Sequence, residues 1–217
     1  MFSDCSAHAT LNKAISQMAE KRTYELRERA RRQAETRRRI IEATVALHEE
    51  VGPARTTVTE IARRAGVQRL TVYTHFPADR ELFAACSAHF ISGHRPPDPA
   101  SWTDGGDPGE RLRRALTEIH AWYRDGEAMF ANVERDQEAL PALREVVAAG
   151  RGSWHAAVRD VLSAALPPAD GENASHVRAE IGLATSFGAW QWLVRREGLA
   201  DDEAVELLAR AAEAAAS

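Results

Sequence analysis

Apolar residues recur along most of the chain at the three-to-four-residue spacing of amphipathic helices. The spacing first becomes regular at Ile40, Thr44, Leu47 and Val51, after which Gly52 and Pro53 end the segment. No stretch alternates apolar and polar residues for long enough to indicate a strand. The pattern therefore predicts an all-α protein, with helices over about 40–51, 57–65, 69–75, 79–90, 110–125, 128–139, 141–166, 173–196 and 201–215.

The first 35 residues lack this periodicity and are predicted to form a flexible basic extension. Nine residues between Lys21 and Arg39 are basic. Such a charge run fits a solvated helix as well as a disordered arm, and many charge runs only face water. The alternative is that the extension contacts a polyanion.

The sequence TVTEIARRAGVQRLTVYTHF contains the signals of two short helices joined by a tight turn. Thr57 stands three residues before Glu60, which predicts a capping box at the start of the first helix. Gly66 can adopt positive φ without a Cβ clash and so closes the turn. Pro77 ends the second helix. This order of elements is typical of a helix-turn-helix motif, although a helical hairpin inside another all-α protein would read similarly.

The second helix of such a motif lies in the major groove of DNA, so its outward residues must offer hydrogen bonds. Val72 and Phe76 have the spacing of an inward face. The remaining positions are mostly polar and suit contacts to bases and phosphates; they are Gln68, Arg69, Thr71, Tyr73, Thr74 and His75.

The segments TRRRIIEATVALHEEVG and TTVTEIARRAGVQRLTVYTHFPADREL resemble the N-terminal domain of the TetR (tetracycline-repressor) family of transcriptional regulators. The resemblance covers about residues 36–90. It implies a DNA-binding domain over 36–78 and an effector-binding and dimerisation domain over 79–217. It also implies that Tyr73 and Arg80 bind phosphates.

The resemblance further implies that Thr57 caps its helix against the DNA backbone and that Gln68 to Thr74 contact bases. Two positions depart from the family pattern. His48 stands where a phenylalanine is usual, and Leu70 stands where glycine or a small residue is frequent. Leu70 could contact thymine methyl groups or pack inward. The predicted DNA-binding residues are Thr57, Gln68, Arg69, Leu70, Thr71, Tyr73, Thr74, His75 and Arg80.

The family's effector pocket and dimer surface belong to the C-terminal half, where aromatic residues are frequent in this chain. An apolar cavity with a few polar groups suits a small molecule, although plain core packing would also use these rings. The predicted ligand-binding residues are Trp122, Phe130, Trp154, Phe187, His120 and His155. Trp190 and Trp192 are two apart and so face opposite sides of one helix. The predicted dimer interface comprises Trp190, Trp192, Leu207 and Leu208.

Charge and motif content narrow the function classes. Residues 1–90 carry 15 Lys/Arg and 11 Asp/Glu (net +4), and residues 91–217 carry 13 and 21 (net −8), which together give −4. The basic front half favours a polyanionic partner, though weakly. No HExxH, GxSxG or GxxxxGK[ST] motif occurs, so neither an enzyme, a metal site nor a cofactor is expected.

The two cysteines form no CxxC pair, and neither a signal peptide nor a membrane-spanning run is evident, so a cytoplasmic protein is expected. The sequence predicts a repressor that binds a palindromic double-stranded DNA operator as a homodimer and releases it when a small apolar effector binds. The alternatives are an activator and an architectural or protein-interaction module without an effector.

Overall fold

The structure is a computed structural model that describes residues 4–104, 106–166 and 172–216, with side chains over 21–104, 106–166 and 173–216. This part of the chain is all-α and contains no strand, as predicted. Its helices are α1 (Asp4–Glu50), α2 (Val58–Ala65), α3 (Arg69–His75), α4 (Asp79–Gly93), α5 (Pro108–Asp125), α6 (Glu127–Asp136), α7 (Pro141–Val147), α8 (Ser153–Ala165), α9 (Glu172–Ala184), α10 (Phe187–Trp190) and α11 (Asp201–Ala215).

Helix α1 is far longer than the predicted first helix, because it begins at Asp4 and not near Ile40. The predicted flexible extension is therefore helical over residues 4–35, and residues 1–3 lie outside the described part of the chain. Pairs three and four residues apart stabilise this solvated stretch: Arg38 bonds to Glu35 at 2.7 Å and to Glu42 at 2.6 Å. Only beyond Ile40 is one face buried, which is why the apolar spacing starts there.

The N-terminal domain packs the end of α1 against α2 and α4, with α3 held on α2. Arg64 of α2 donates to both oxygens of Glu50 at the end of α1, at 2.5 and 2.7 Å. This bidentate pair links the two helices at the protein surface. The apolar residues between them are almost fully buried and include Ile40, Leu47, Ile61, Ala62, Val72 and Phe76.

The C-terminal domain is a bundle in which α11 packs against α5 and α9, and α8 packs against α9 and α5. Arg113 of α5 joins Glu206 at 2.7 Å and Glu213 at 2.6 Å, both on α11. The bundle core includes Leu112, Leu116, Ile119, Val158, Leu162 and Ile181. None of the described helices has an apolar stretch long enough to cross a membrane.

Two predicted long helices are interrupted. The predicted helix over 173–196 stops at Ala184, and Ser186 caps α10 by accepting a hydrogen bond from Ala189 N at 3.1 Å. Tyr123 reaches into the break and donates to Thr185 O at 2.7 Å, which satisfies a carbonyl that the helix no longer uses. The predicted helix over 141–166 changes to π-helix over Ala148–Gly152, where two glycines weaken the α-helical preference.

Candidate DNA interface and internal cavity

The start of α2 is capped as the sequence predicts, but only in part. Thr57 Oγ1 accepts from Glu60 N at 3.2 Å. The Glu60 carboxylate turns to Arg63, which donates to it from Nε at 2.9 Å and lowers the pKa of Glu60. The predicted capping box is thus half formed, because the nearby guanidinium is the stronger partner for the carboxylate.

Gly66 makes the turn between α2 and α3. Its φ of 64° and ψ of 41° lie in the left-handed region, where residues other than glycine are strained. Val67 N then donates to Ala62 O at 2.9 Å, the pattern of a Schellman-type helix end. Val67, directly after the turn, packs against the core.

Helix α3 presents a polar outer face. Val72 and Phe76 are buried, whereas Gln68, Arg69, Tyr73 and Thr74 are exposed and Thr71 and His75 are half-buried. Leu70 is 73% exposed, so of the two predicted orientations the chain adopts the outward one. Gln68 occupies the N-cap without a side-chain bond to the helix, which leaves its amide available to a ligand.

The basic stretch of α1 runs beside α3. Side chains from both helices line a shared groove, in which Arg29 and Arg32 of α1 lie near Thr71 and His75 of α3. Arg37 is placed over the Phe76 ring, 4.6 Å from its centroid. The sequence indicated the charge of this stretch but not its position next to the polar face of α3.

Arg80 opens α4 and is exposed. Its Nε lies 3.4 Å from Glu145 Oε2 on α7, where both side chains are mostly in solvent. An exposed pair at this distance contributes little to stability, so Arg80 can exchange Glu145 for another anion at small cost.

Helix α6 holds the end of α1 and the segment after it. Asn132 Nδ2 donates to His48 O at 2.9 Å and to Glu49 O at 2.8 Å, two carbonyls of the last turn of α1. Asp136 accepts from Ala54 N at 2.9 Å. Burial pushes the pKa of Asp136 upward, but the bonds from Arg135 and Ala54 outweigh it and leave that pKa lowered.

A partly open cavity of about 260 Å³ lies between the two domains. Three predicted ligand-binding residues line it, namely Trp122, Phe130 and Trp154. The wall also includes residues that the sequence analysis did not assign: His48 from α1, Phe83, Cys86, Ser87, Phe90 and Ile91 from α4, Pro96, Met129, Val133, Leu143, Val146, Val147, Gly150 and Arg151. Elements of both domains thus meet at one apolar space.

The polar groups on this wall are mostly neutral. Burial lowers the pKa of His48 to about 4 and raises the pKa of the Cys86 thiol to about 12. Among the described residues that line the cavity, Arg151 alone is charged near neutral pH. The departure of His48 from the family pattern was the one sequence signal for this part of the wall.

The other three predicted ligand-binding residues lie elsewhere. Phe187 and His155 line a neighbouring cleft, and burial lowers the pKa of His155 to about 4. His120 is 1% exposed within the C-terminal core, where burial lowers its pKa to about 4. Phe187 packs behind Phe130 of the cavity wall, with ring centroids 5.7 Å apart, and α5 presents His120 and Trp122 to different neighbours.

The predicted dimer residues divide into buried and exposed pairs. Trp190 is fully buried and donates from Nε1 to Asp201 Oδ1 at 3.1 Å, and Leu208 is 8% exposed. Both side chains pack into the core of their own chain. Trp192 and Leu207 are 52% and 44% exposed, and Leu183 on α9 is 55% exposed.

Comparisons with known proteins agree with this geometry. A family model for the bacterial regulatory proteins of the tetR family matches residues 40–86. A search of curated proteins found no significant match.

Similar solved structures include a tetR-family transcriptional regulator from Streptomyces coelicolor, with 22% identity, a TM-score of 0.58, and coverage of 82% of this chain and 81% of that one. A TetR transcription regulator from Haloarcula marismortui shares 18% identity over 84% of this chain and 97% of its own, with a TM-score of 0.55. A transcriptional regulator from Saccharomonospora viridis, solved in complex with choline, shares 21% identity over 81% and 94%, with a TM-score of 0.56.

At these identities the similarity establishes the fold. The matched segment coincides with the end of α1, the α2–turn–α3 motif and the first half of α4, which are the elements described above. Residues 40–86 of the chain therefore match the family model for bacterial regulatory proteins of the tetR family.

Proposed function

We propose that the chain is a ligand-responsive transcriptional repressor that binds a palindromic operator as a homodimer. The observation that carries the proposal is the cavity, because its wall includes α1 and α4 of the DNA-binding end as well as α6 to α8. A molecule in this space contacts both domains, so its binding energy can depend on how they are arranged.

The outer face of α3 enters the major groove in this proposal. Gln68 and Arg69, at the start of the helix, read base edges together with Thr71, while Tyr73 binds phosphate. Exposed Leu70 contacts thymine methyl groups. Further phosphate or backbone contacts come from Thr57, Thr74, His75 and Arg80. Arg80 leaves Glu145 when a phosphate is offered.

Two copies read the two half-sites. The exposed apolar side chains of Leu183, Trp192 and Leu207 lie on α9, the segment after α10, and α11, which pack against one another. They supply the apolar centre of a symmetric interface. The two α3 helices must then lie about one DNA turn apart, so a shift of a few ångströms between them weakens simultaneous binding.

A ligand that favours the wrong separation lowers operator affinity, and operator lowers ligand affinity by the same factor. The choline-bound regulator from Saccharomonospora viridis is a relative of this fold with a small organic ligand. Loss of operator binding on ligand addition relieves repression; a ligand that strengthens binding would make the protein a co-repressed repressor or an activator.

The test begins with DNA selected by the protein from random duplexes and sequenced. Tyr73→Ala should weaken binding to all sequences, since a phosphate contact carries no base preference, and Tyr73→Phe separates the hydroxyl from the ring. Gln68→Ala should lose about 1–3 kcal/mol of discrimination at one position of the site. Anisotropy titrations with selected and scrambled duplexes measure both. Unchanged affinity of Tyr73→Ala for both duplexes would rule out the proposed docking of α3.

A further inference from the structure

A second cleft adjoins the cavity on the side away from the DNA-binding domain. Its volume is about 360 Å³. Val147 and Arg151 line both spaces. Phe130 on the cavity side and Phe187 on the cleft side have ring centroids only 5.7 Å apart. The two rings thus separate the apolar cavity from the cleft, while Val147 and Arg151 border both spaces.

The cleft carries an excess of positive charge. Three arginines line it, Arg144, Arg151 and Arg159, against one carboxylate, Glu134. Arg144 has a distant partner in Glu138 at 3.9 Å. Arg159 makes no ion pair with any described residue. The cleft is therefore suited to an anion.

Arg151 links the two spaces. Its side chain is only 15% exposed, its guanidinium lies 5.9 Å from the centroid of the Phe130 ring, and its Nη2 bonds to Glu134. It belongs to the π-helical segment Ala148–Gly152, an irregularity that is frequent at functional sites. The one charge on the cavity wall thus faces a half-exposed carboxylate that can turn into solvent.

The volume of the apolar cavity sets the size of the ligand that it can hold. A protein cavity of about 150 Å³ can hold benzene, with six heavy atoms, so the 260 Å³ here holds about ten. We infer, building on the ligand-responsive function proposed above, that the effector is an amphiphilic anion whose apolar body of about ten atoms fills the cavity and whose anionic head binds Arg151 at the edge of the arginine cleft.

The anion takes the place of Glu134 on Arg151. The total charge next to the guanidinium is unchanged, because Glu134 moves to water as the head group arrives. The charge-assisted bond forms in a place that excludes more water than the surface does, and it therefore selects anions over neutral molecules of the same shape. A ligand with a cationic head group is disfavoured, because that group would lie next to the positively charged Arg151.

The probes are decanoate, its neutral isostere decanamide, and decyltrimethylammonium, titrated by calorimetry into the full chain without DNA. Decanoate should bind about tenfold or more tightly than decanamide, the effect of one charge-assisted hydrogen bond. Decyltrimethylammonium should bind most weakly. Equal binding of decanoate and decanamide, a preference for the cation, or no binding of any probe would overturn the inference.

Two variants locate the effect. Arg151→Gln should remove the preference for decanoate over decanamide, and Glu134→Gln should strengthen decanoate binding several-fold with decanamide unchanged. Arg178→Gln, which removes an exposed arginine paired with Asp160, is the matched control and should leave all affinities as they were. If Arg151→Gln does not fold, a Glu134→Gln variant without gain for decanoate overturns the inference.

Operator release by decanoate is measured separately, on the selected duplex. Decanoate that binds through Arg151 without releasing DNA would support the ligand class and contradict the proposed repressor mechanism. DNA binding that is released by the neutral probe alone would support the regulator and overturn the ligand class.

Discussion

Replacing His48 with phenylalanine should make the fold less sensitive to acid. His48 is 4% exposed, and its ring centroid lies 5.8 Å from that of Phe83. Burial lowers its pKa to about 4, although nearby Asp136 acts in the opposite direction. In the unfolded chain the imidazole titrates near the ordinary value of about 6.5. As the pH falls from 6.5, the unfolded chain therefore takes up a proton that the folded chain does not.

The contribution of neutral His48 to the free energy of unfolding is fully present above pH 6.5. It is lost as the pH falls from 6.5 through 4. A difference of about 2.5 pKa units corresponds to about 3 kcal/mol once both states are protonated. At pH 5, where the folded state is still neutral, the loss relative to pH 8 is about 2 kcal/mol. His120 and His155, with their pKa values likewise lowered to about 4, each add a similar loss to the total.

Urea denaturation at fixed protein concentration, from pH 8 to pH 5, measures the difference. The free energy of unfolding of His48→Phe should fall by about 2 kcal/mol less than that of the unsubstituted chain over this range. His89→Gln, which removes an exposed imidazole of α4, is the matched control. Parallel pH profiles for His48→Phe and the unsubstituted chain would refute the argument, since they would mean that His48 is not held neutral by burial.

Two further predictions concern assembly and charge. Trp192→Glu should shift sedimentation from dimer to monomer because it places a charge in an apolar interface, whereas Leu26→Glu on the exposed part of α1 should not; a dimer in both variants would exclude the proposed surface. Replacing Arg29 and Arg32 together with glutamine should reduce the log–log salt slope of DNA binding by about 1.8 if each contacts one phosphate. Arg178→Gln, which removes an exposed arginine of α9 paired with Asp160, should leave the slope unchanged, and equal slopes in all variants would assign this stretch to solvent.

The helix-turn-helix could be predicted almost to the residue because its signals are local. Thr57 caps α2, Gly66 supplies the left-handed turn, and Pro77 follows the end of α3. Each acts within a few residues of the boundary that it sets. The last helix, Asp201–Ala215, was predicted with the same bounds for a similar reason: acidic residues fill its first turn and apolar residues repeat along one stripe.

Neither the full length of α1 nor the set of residues that line the cavity could be predicted from local sequence signals. Residues 21–39 have no apolar stripe, because their helix is solvated and held by pairs such as Arg31 with Glu28. The cavity wall joins residues far apart in sequence: His48 from α1, Cys86 from α4 and Arg151 from the π-helical segment. Their meeting depends on how α4 and α7 pack, which no local pattern encodes. The same holds for the separation of Trp122 from Phe187, since it follows from the break before α10.

The contacts between α6 and the end of α1 explain how a small cavity can influence the position of α3. Asn132 donates to two carbonyls of the last turn of α1, which the helix end would otherwise leave without partners, and Asp136 accepts from the N–H of Ala54 after that helix. Phe130, on the same helix, forms part of the cavity wall. We propose that a ligand that displaces Phe130 shifts α6 and weakens the hydrogen bonds that hold the end of α1. In this proposal α2 and α3 follow α1 through the Arg64–Glu50 pair and the shared core, so a small rotation at the junction displaces α3.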